Sequence, residues 1–318
     1  MSTKEVSLAA HRGWNWIRHN PVHAFLLLAI AGTFVWFYGV VPLYAGRTIA
    51  RWAWIRYLPE YNQEHSKLIP FIFVFLLWYH RNALRDAEKR GSNWGLLLLG
   101  VGVLIFTVAA RAIQARLALV ALPFLLAGVV LFLWGKKVLR IVAFPLAFLI
   151  FLVPAAAIEQ TSFRLQFLIT GVVERLSALL GIKIYAVGTT LRAVDGSWGF
   201  DISEGCSGIR SLIAMVMITA IYVHIVERQL WKKIVIFCCS VLFAIIGNIG
   251  RIFTIIVIAR IGFPKFAGGL YHDYSAFIIF PFALAAMILT SKLLNLKLAE
   301  VKASARSLTT SEKVTYDY

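Results

Sequence analysis

Charge is scarce in this chain, and acid is scarcest. Only 15% of its 318 residues are charged, with 15 Asp and Glu against 32 Lys and Arg. With 60% hydrophobic residues and a mean hydropathy of +0.78, a water-soluble globular domain is excluded and the bilayer is the solvent. Cysteine is scarce too. Three residues, with no paired spacing, exclude a disulfide framework and a thiolate zinc site. No histidine or carboxylate pair has metal-ligand spacing, and no glycine loop is built to cradle phosphate, so neither metal nor cofactor is expected. No internal repeat is present. The net charge of +17 lacks the basic stripe with interleaved aromatics that nucleic acid requires. The bases instead read as flanks of membrane helices facing anionic lipid.

Apolar length is what the chain has in abundance. Backbone amides find no partner in lipid, so every crossing must be a helix. Eight segments qualify, at about 24–44, 65–80, 94–110, 117–134, 141–158, 207–226, 233–258 and 275–294. The first lacks a small-residue cleavage site and is read as a retained helix. The second is the weakest, because its apolar core from Leu68 to Tyr79 is short enough to be re-entrant. The expected fold class is all-α: a polytopic membrane protein with about eight transmembrane helices, plus a short outer-face amphipathic helix and a β-hairpin. One domain is expected over residues 1–300, with a polar, disordered tail at 301–318.

Lysine and arginine orient the spans. Basic clusters at Arg81 to Arg90, Lys136 to Arg140, Arg228 to Lys233 and after Thr290 fall on one side, together with Lys4, Arg12 and Arg18. That side is assigned to the cytoplasm of a cell membrane. Arg47, Arg51, Arg56, Arg111 and Arg116 run against the bias. The longest outer segment is Glu159 to Glu204. It mixes apolar and charged residues over Phe163 to Leu180, the pattern of an interfacial amphipathic helix or a packed surface helix. A strand region follows from Ile184 to Ile202, with Asp195-Gly196 as a two-residue hairpin signal.

Three residues stand out at the outer boundary. Cys206 lies in a polar, glycine-containing run that opens the sixth span, while Cys238 and Cys239 lie mid-helix and suit packing. Arg251 lies 19 residues beyond Lys232, about 28 Å of helix rise and close to the full hydrocarbon thickness. His272 opens the approach to the eighth span. A helix N-terminus and a nearby cation favour the thiolate of Cys206. A guanidinium stabilises an oxyanion, and an imidazole carries a proton from one group to another. Taken singly, each has a plain reading as packing, snorkelling or interfacial decoration; together they suggest a site, because ionisable groups in membranes are costly. Glu204, Ser207, Gly208 and Asn248 are candidates for shaping it, and His65 is a further candidate at the start of the second span.

These residues resemble a known family. Glu204 to Leu212 is similar to the cysteine motif of the exosortase/archaeosortase family, Asn248 to Arg251 to its Asn-x-x-Arg motif, and His272 to Phe277 to its final histidine motif. Weaker similarity covers about residues 60 to 290, including Glu64 to Pro70. The family often has glycine where this chain has Ala276. The resemblance implies a membrane cysteine transpeptidase acting on exported proteins that end in a sorting motif, a membrane helix and a basic tail. It implies Cys206 as nucleophile, Arg251 as oxyanion stabiliser and His272 as acid and base. Two other readings stay open on the residues alone: a hydrolytic membrane cysteine protease, and a non-enzymatic transporter or assembly scaffold.

Overall fold

The computed structural model describes residues 21–58, 63–154, 156–201 and 208–314. It divides into two compact units, Met1–Pro154 and Ala155–Tyr318. It is mostly helical, with five helices long and apolar enough to cross a membrane and a small three-stranded sheet.

The first unit contains α1 (Pro21–Val35, continued by a π-turn at Trp36–Val40), α2 (Ile49–Arg56), α3 (Ile69–Tyr79), α4 (Arg81–Asp86), α5 (Trp94–Arg111) and α6 (Ala115–Phe148). The fourth and fifth expected spans form one continuous helical run, Ala115–Leu152, of 38 residues. Straight, that run would reach about 57 Å, far more than a bilayer. It folds back at Gly135, whose φ of 85° and ψ of −175° are non-helical. A side chain there would meet the Arg90 carbonyl oxygen at 1.7 Å. Both ends of the run are therefore tied to the same end of the unit. Tyr38 donates to the Ala118 carbonyl at 2.8 Å, and Tyr57 to that of Leu152 at 2.6 Å. The two crossings are separate, but the second ends at Leu152 and not at 158, because Val153-Pro154 leaves the helical region.

Glycine sets the spacing inside this unit. Gly95 and Gly102 of α5 lie against the backbone of Phe132 and Leu125, and Gly128 of α6 lies against Leu99. The pairs run antiparallel, the close small-residue packing that membrane helices use where lipid supplies no hydrophobic drive. The expected second span is a 3-10 turn, Glu64–Leu68, followed by the 11 residues of α3. Eleven residues rise only about 16 Å, half the hydrocarbon core. Ser66 still anchors this segment to the Phe151 carbonyl at 2.9 Å, while Lys137 bonds Glu88 at 2.5 Å. Residues 66–88 thus lie antiparallel to the second half of α6.

The second unit contains α7 (Ala156–Leu179), β1 (Ile184–Val187), β2 (Thr190–Ala193), β3 (Gly199–Asp201), α8 (Ile209–Val226), α9 (Leu230–Arg260), a short α10 (Pro264–Phe266), a π-turn (Ala267–Tyr271) and α11 (His272–Val314). The expected hairpin accompanies a mostly helical fold, as part of a larger sheet: three strands form an antiparallel meander in the order β1-β2-β3. The expected hairpin is β2–β3. Its turn holds Gly196 at φ 73° and Asp195, whose carboxylate accepts from the Ser197 hydroxyl at 2.5 Å and the Ser197 amide at 3.0 Å. The segment before it adds β1, joined to β2 through Gly188 at φ 64°.

Helix α9 explains how this unit is layered. Its 31 residues rise about 46 Å, roughly half as much again as the hydrocarbon core. Its first half buries Ile236 and Ala244 with Met215 and Val223 of α8 and Ala283 and Met287 of α11. Its last turns bury Ile252, Ile255, Ile256 and Ala259 against Ile169 and Val173 of α7 and Leu191 of β2. Each fully buried Ile contributes on the order of 2 kcal/mol. The helix therefore runs out of an apolar bundle into a cap made of α7 and the sheet. The α7 face opposite the cap exposes Phe167, Leu168 and Leu179, a surface suited to the membrane interface. At the far end Glu227 accepts from Ser291 at 2.6 Å and from Asn295 at 2.9 Å, and Lys232 donates to Asn295. This network, in which Glu227, Lys232 and Ser291 are buried and Asn295 is exposed, clamps the α8–α9 link to α11. Cys238 is exposed on α9 and Cys239 half-buried, so Cys238 faces outward where packing was expected.

Candidate functional site

The transition from bundle to cap on α9 is where polar side chains collect. Arg251 sits between Ala244 of one cluster and Ile252 of the other, and only 8% of it is exposed. A buried guanidinium must be hydrogen-bonded. Its Nε donates to Ser275 Oγ at 2.8 Å, and its Nη2 to the His272 carbonyl at 3.0 Å. Ser275 Oγ donates in turn to the same carbonyl at 3.1 Å. The fork thus binds the first turn of α11, leaving three of the five guanidinium N–H groups for other partners.

A second tie runs parallel to the first. Tyr271 donates to Thr254 Oγ1 at 2.8 Å, and Thr254 donates to the Arg251 carbonyl at 2.8 Å. The preceding π-turn is pinned to the sheet, since a side chain at Gly268 would meet Phe200 Cε1 at 2.6 Å. His272 therefore starts α11 from a segment held by α9 and the cap. Its Nδ1 lies 3.1 Å from Asp273 Oδ1. That contact selects the tautomer in which Nδ1 carries hydrogen and Nε2 is the basic nitrogen.

Asn248 lies one helical turn before Arg251. It packs against Gly208, which precedes α8 at φ 66°; a side chain on Gly208 would meet Asn248 Nδ2 at 2.4 Å. Glycine is needed there for both the left-handed backbone and the close approach. The Gly208 carbonyl accepts from Ser211 Oγ and the Leu212 amide, both at 2.9 Å, closing the first turn of α8. A cavity of about 20 Å³, room for one water, is lined by Ser211, Asn248, Arg251 and Ala276 among others. Ala276 is the position where the resembling family often has glycine, and its methyl is part of this wall.

Of the sequence-derived candidates, Gly208, Asn248, Arg251 and His272 are brought together in the second unit. Glu204, Cys206 and Ser207 lie outside the described residues. His65 belongs to the first unit, in the 3-10 turn before α3. Ser275 was missed by sequence reasoning. Its spacing of three residues after His272, on the same helical face, was the available signal. No group of three or more His, Cys, Asp or Glu suited to a metal occurs among the described residues.

Long apolar helices, a buried arginine and a histidine at a helix start define a multi-pass membrane protein with a polar site at the helix ends. The chain belongs to the transmembrane exosortase family (Exosortase_EpsH), whose model matches residues 54–289. No curated protein and no solved structure matches it.

Proposed function

We propose that the protein is a membrane cysteine transpeptidase that cleaves the C-terminal sorting signal of exported proteins and transfers them to an acceptor. The observation that carries this reading is the Arg251 fork, buried and fixed by Ser275 and the His272 carbonyl with donors to spare. A preoriented cation of this kind needs no reorganisation when an oxyanion forms. Chain connectivity supports Cys206 as the nucleophile. It stands two residues before Gly208 in the sequence, the glycine that touches Asn248.

In the proposed cycle the Cys206 thiolate attacks the scissile carbonyl carbon, and Arg251 meets the developing oxyanion. His272 Nε2 has taken the thiol proton of Cys206 to form this thiolate, and the carbon–nitrogen bond breaks as the imidazolium passes that proton to the departing amine. A thioester to Cys206 remains. His272 then takes a proton from the acceptor nucleophile, which attacks the thioester and releases the thiolate. Glu204, Ser207, Gly208 and Asn248 shape the site. Charge bias in the links around α8, α9 and α11 supports a site on the extracytoplasmic face of the cell membrane. Cys206→Ala should leave the protein folded in membranes while processing of a tail-bearing substrate stops; normal processing would overturn the proposal. Mass spectrometry of the product's new C-terminus separates transfer, which leaves an adduct, from hydrolysis, which leaves a free carboxylate.

A further inference from the structure

The first unit carries a groove that the proposed chemistry does not use. It lies between α1 with its π-turn, α5 and the first half of α6, and its volume is about 540 Å³. Ala29, Thr33, Val103 and Thr107 line it, and Arg111 stands at one end. From Leu99 to Arg111 the groove follows about 18 Å of helix, slightly more than one leaflet of a hydrocarbon core about 30 Å thick. The groove has the length of an acyl chain.

The Arg111 end is also strongly cationic. Arg47, Arg51, Arg56, Lys67 and Arg116 gather at the end where Tyr38 bonds Ala118, and Glu64 is the only acid in the same connecting segments among the described residues. Trp54 and Trp52 lie under Lys67 and Arg56, at 5.3 and 5.7 Å. Tryptophans at this level are typical of the headgroup zone. Arg116 Nε is buried with no hydrogen-bond partner among the described residues. Arg47, Arg51, Arg56, Arg111 and Arg116 are the bases that run against the charge bias orienting the rest of the chain.

We infer that this groove binds an anionic phospholipid, with one acyl chain along α5 and the phosphate paired with Arg111. Guanidinium matches phosphate bidentately, and the surrounding cations favour a headgroup of net negative charge over a zwitterionic one. The site is independent of the proposed catalytic reading.

The test uses the full chain, delipidated in detergent and analysed by native mass spectrometry with phosphatidylglycerol or phosphatidylcholine. At least about tenfold preference for phosphatidylglycerol is expected, or about 1.4 kcal/mol. Arg111→Gln, at an exposed position, should abolish the preference, and Thr107→Trp should fill the groove and reduce binding of both lipids. Equal binding of the two lipids, or an unchanged preference in Arg111→Gln, overturns the inference. Equal competition by glycerol phosphate without acyl chains also overturns it, as does displacement by a membrane-helix peptide.

Discussion

Ser275→Ala tests the site without touching a group assigned to the chemistry. Ser275 is fully buried, accepts from Arg251 Nε at 2.8 Å and donates to the His272 carbonyl at 3.1 Å. Removing the hydroxyl strands a cationic N–H, whose hydrogen bond contributes about 1.5–3 kcal/mol, and deletes a neutral bond that contributes about 1 kcal/mol. The expected destabilisation is about 2–4 kcal/mol, with a water entering the neighbouring 20 Å³ cavity moving it to the lower end. Freed of one anchor, the fork shifts relative to the first turn of α11. A displacement on the order of 1 Å reduces turnover about 100-fold where alignment matters. Reversible unfolding in detergent micelles gives the first quantity, and single-turnover processing of a tail-bearing substrate gives the second. Ser275→Thr keeps the hydroxyl and should recover most of both. A Ser275→Ala protein as stable and as active as the parent refutes the positioning role.

Three further outcomes follow from the geometry. Gly135→Ala combines a left-handed backbone with an overlap on the Arg90 carbonyl, so it should cost about 3 kcal/mol or more and reduce the folded yield in size-exclusion profiles. Glu227→Ala strands the Ser291 and Asn295 donors beside buried Lys232 and should lower stability by about 2–3 kcal/mol in thermal melts, leaving Arg251 bonded as before. Bonds from the Ser197 hydroxyl, then its amide, hold the Asp195 carboxyl below the ordinary value of about 3.9. That stabilisation is present above the unfolded value and is lost as pH falls through the lowered one. Ser197→Ala should move the Asp195 titration upward in a carboxylate NMR experiment, and an unmoved titration would contradict the assignment.

Arg251 and His272 were legible because ionisable residues beside apolar helices are expensive and therefore conspicuous. Rise per residue put Arg251 toward the far end of its expected span, and in the structure it sits where α9 passes from the bundle to the cap. Apolar runs located the long helices, yet composition alone could not show that Ala115–Leu152 folds back without losing helical hydrogen bonding on either side of Gly135. The extent of α9 was close to the expected 233–258, but its last turns are as apolar as its first, so composition could not show that they face the cap and not the other membrane helices. β1 was hidden in a strand-rich region whose only strong turn signal was Asp195-Gly196. Ser275 looked like any helical serine, since its role depends on a partner 24 residues away in sequence.

The central claim is that Cys206 carries the acyl group while Arg251 and His272 serve it. The direct measurement is peptide mapping by mass spectrometry after acid quench of the full chain with a tail-bearing substrate. The account predicts a hydroxylamine-sensitive thioester on the peptide containing Cys206, absent from Cys206→Ala and strongly reduced in Arg251→Gln. Product formation with the acyl group on another residue, or with Cys206→Ala fully active, would contradict it.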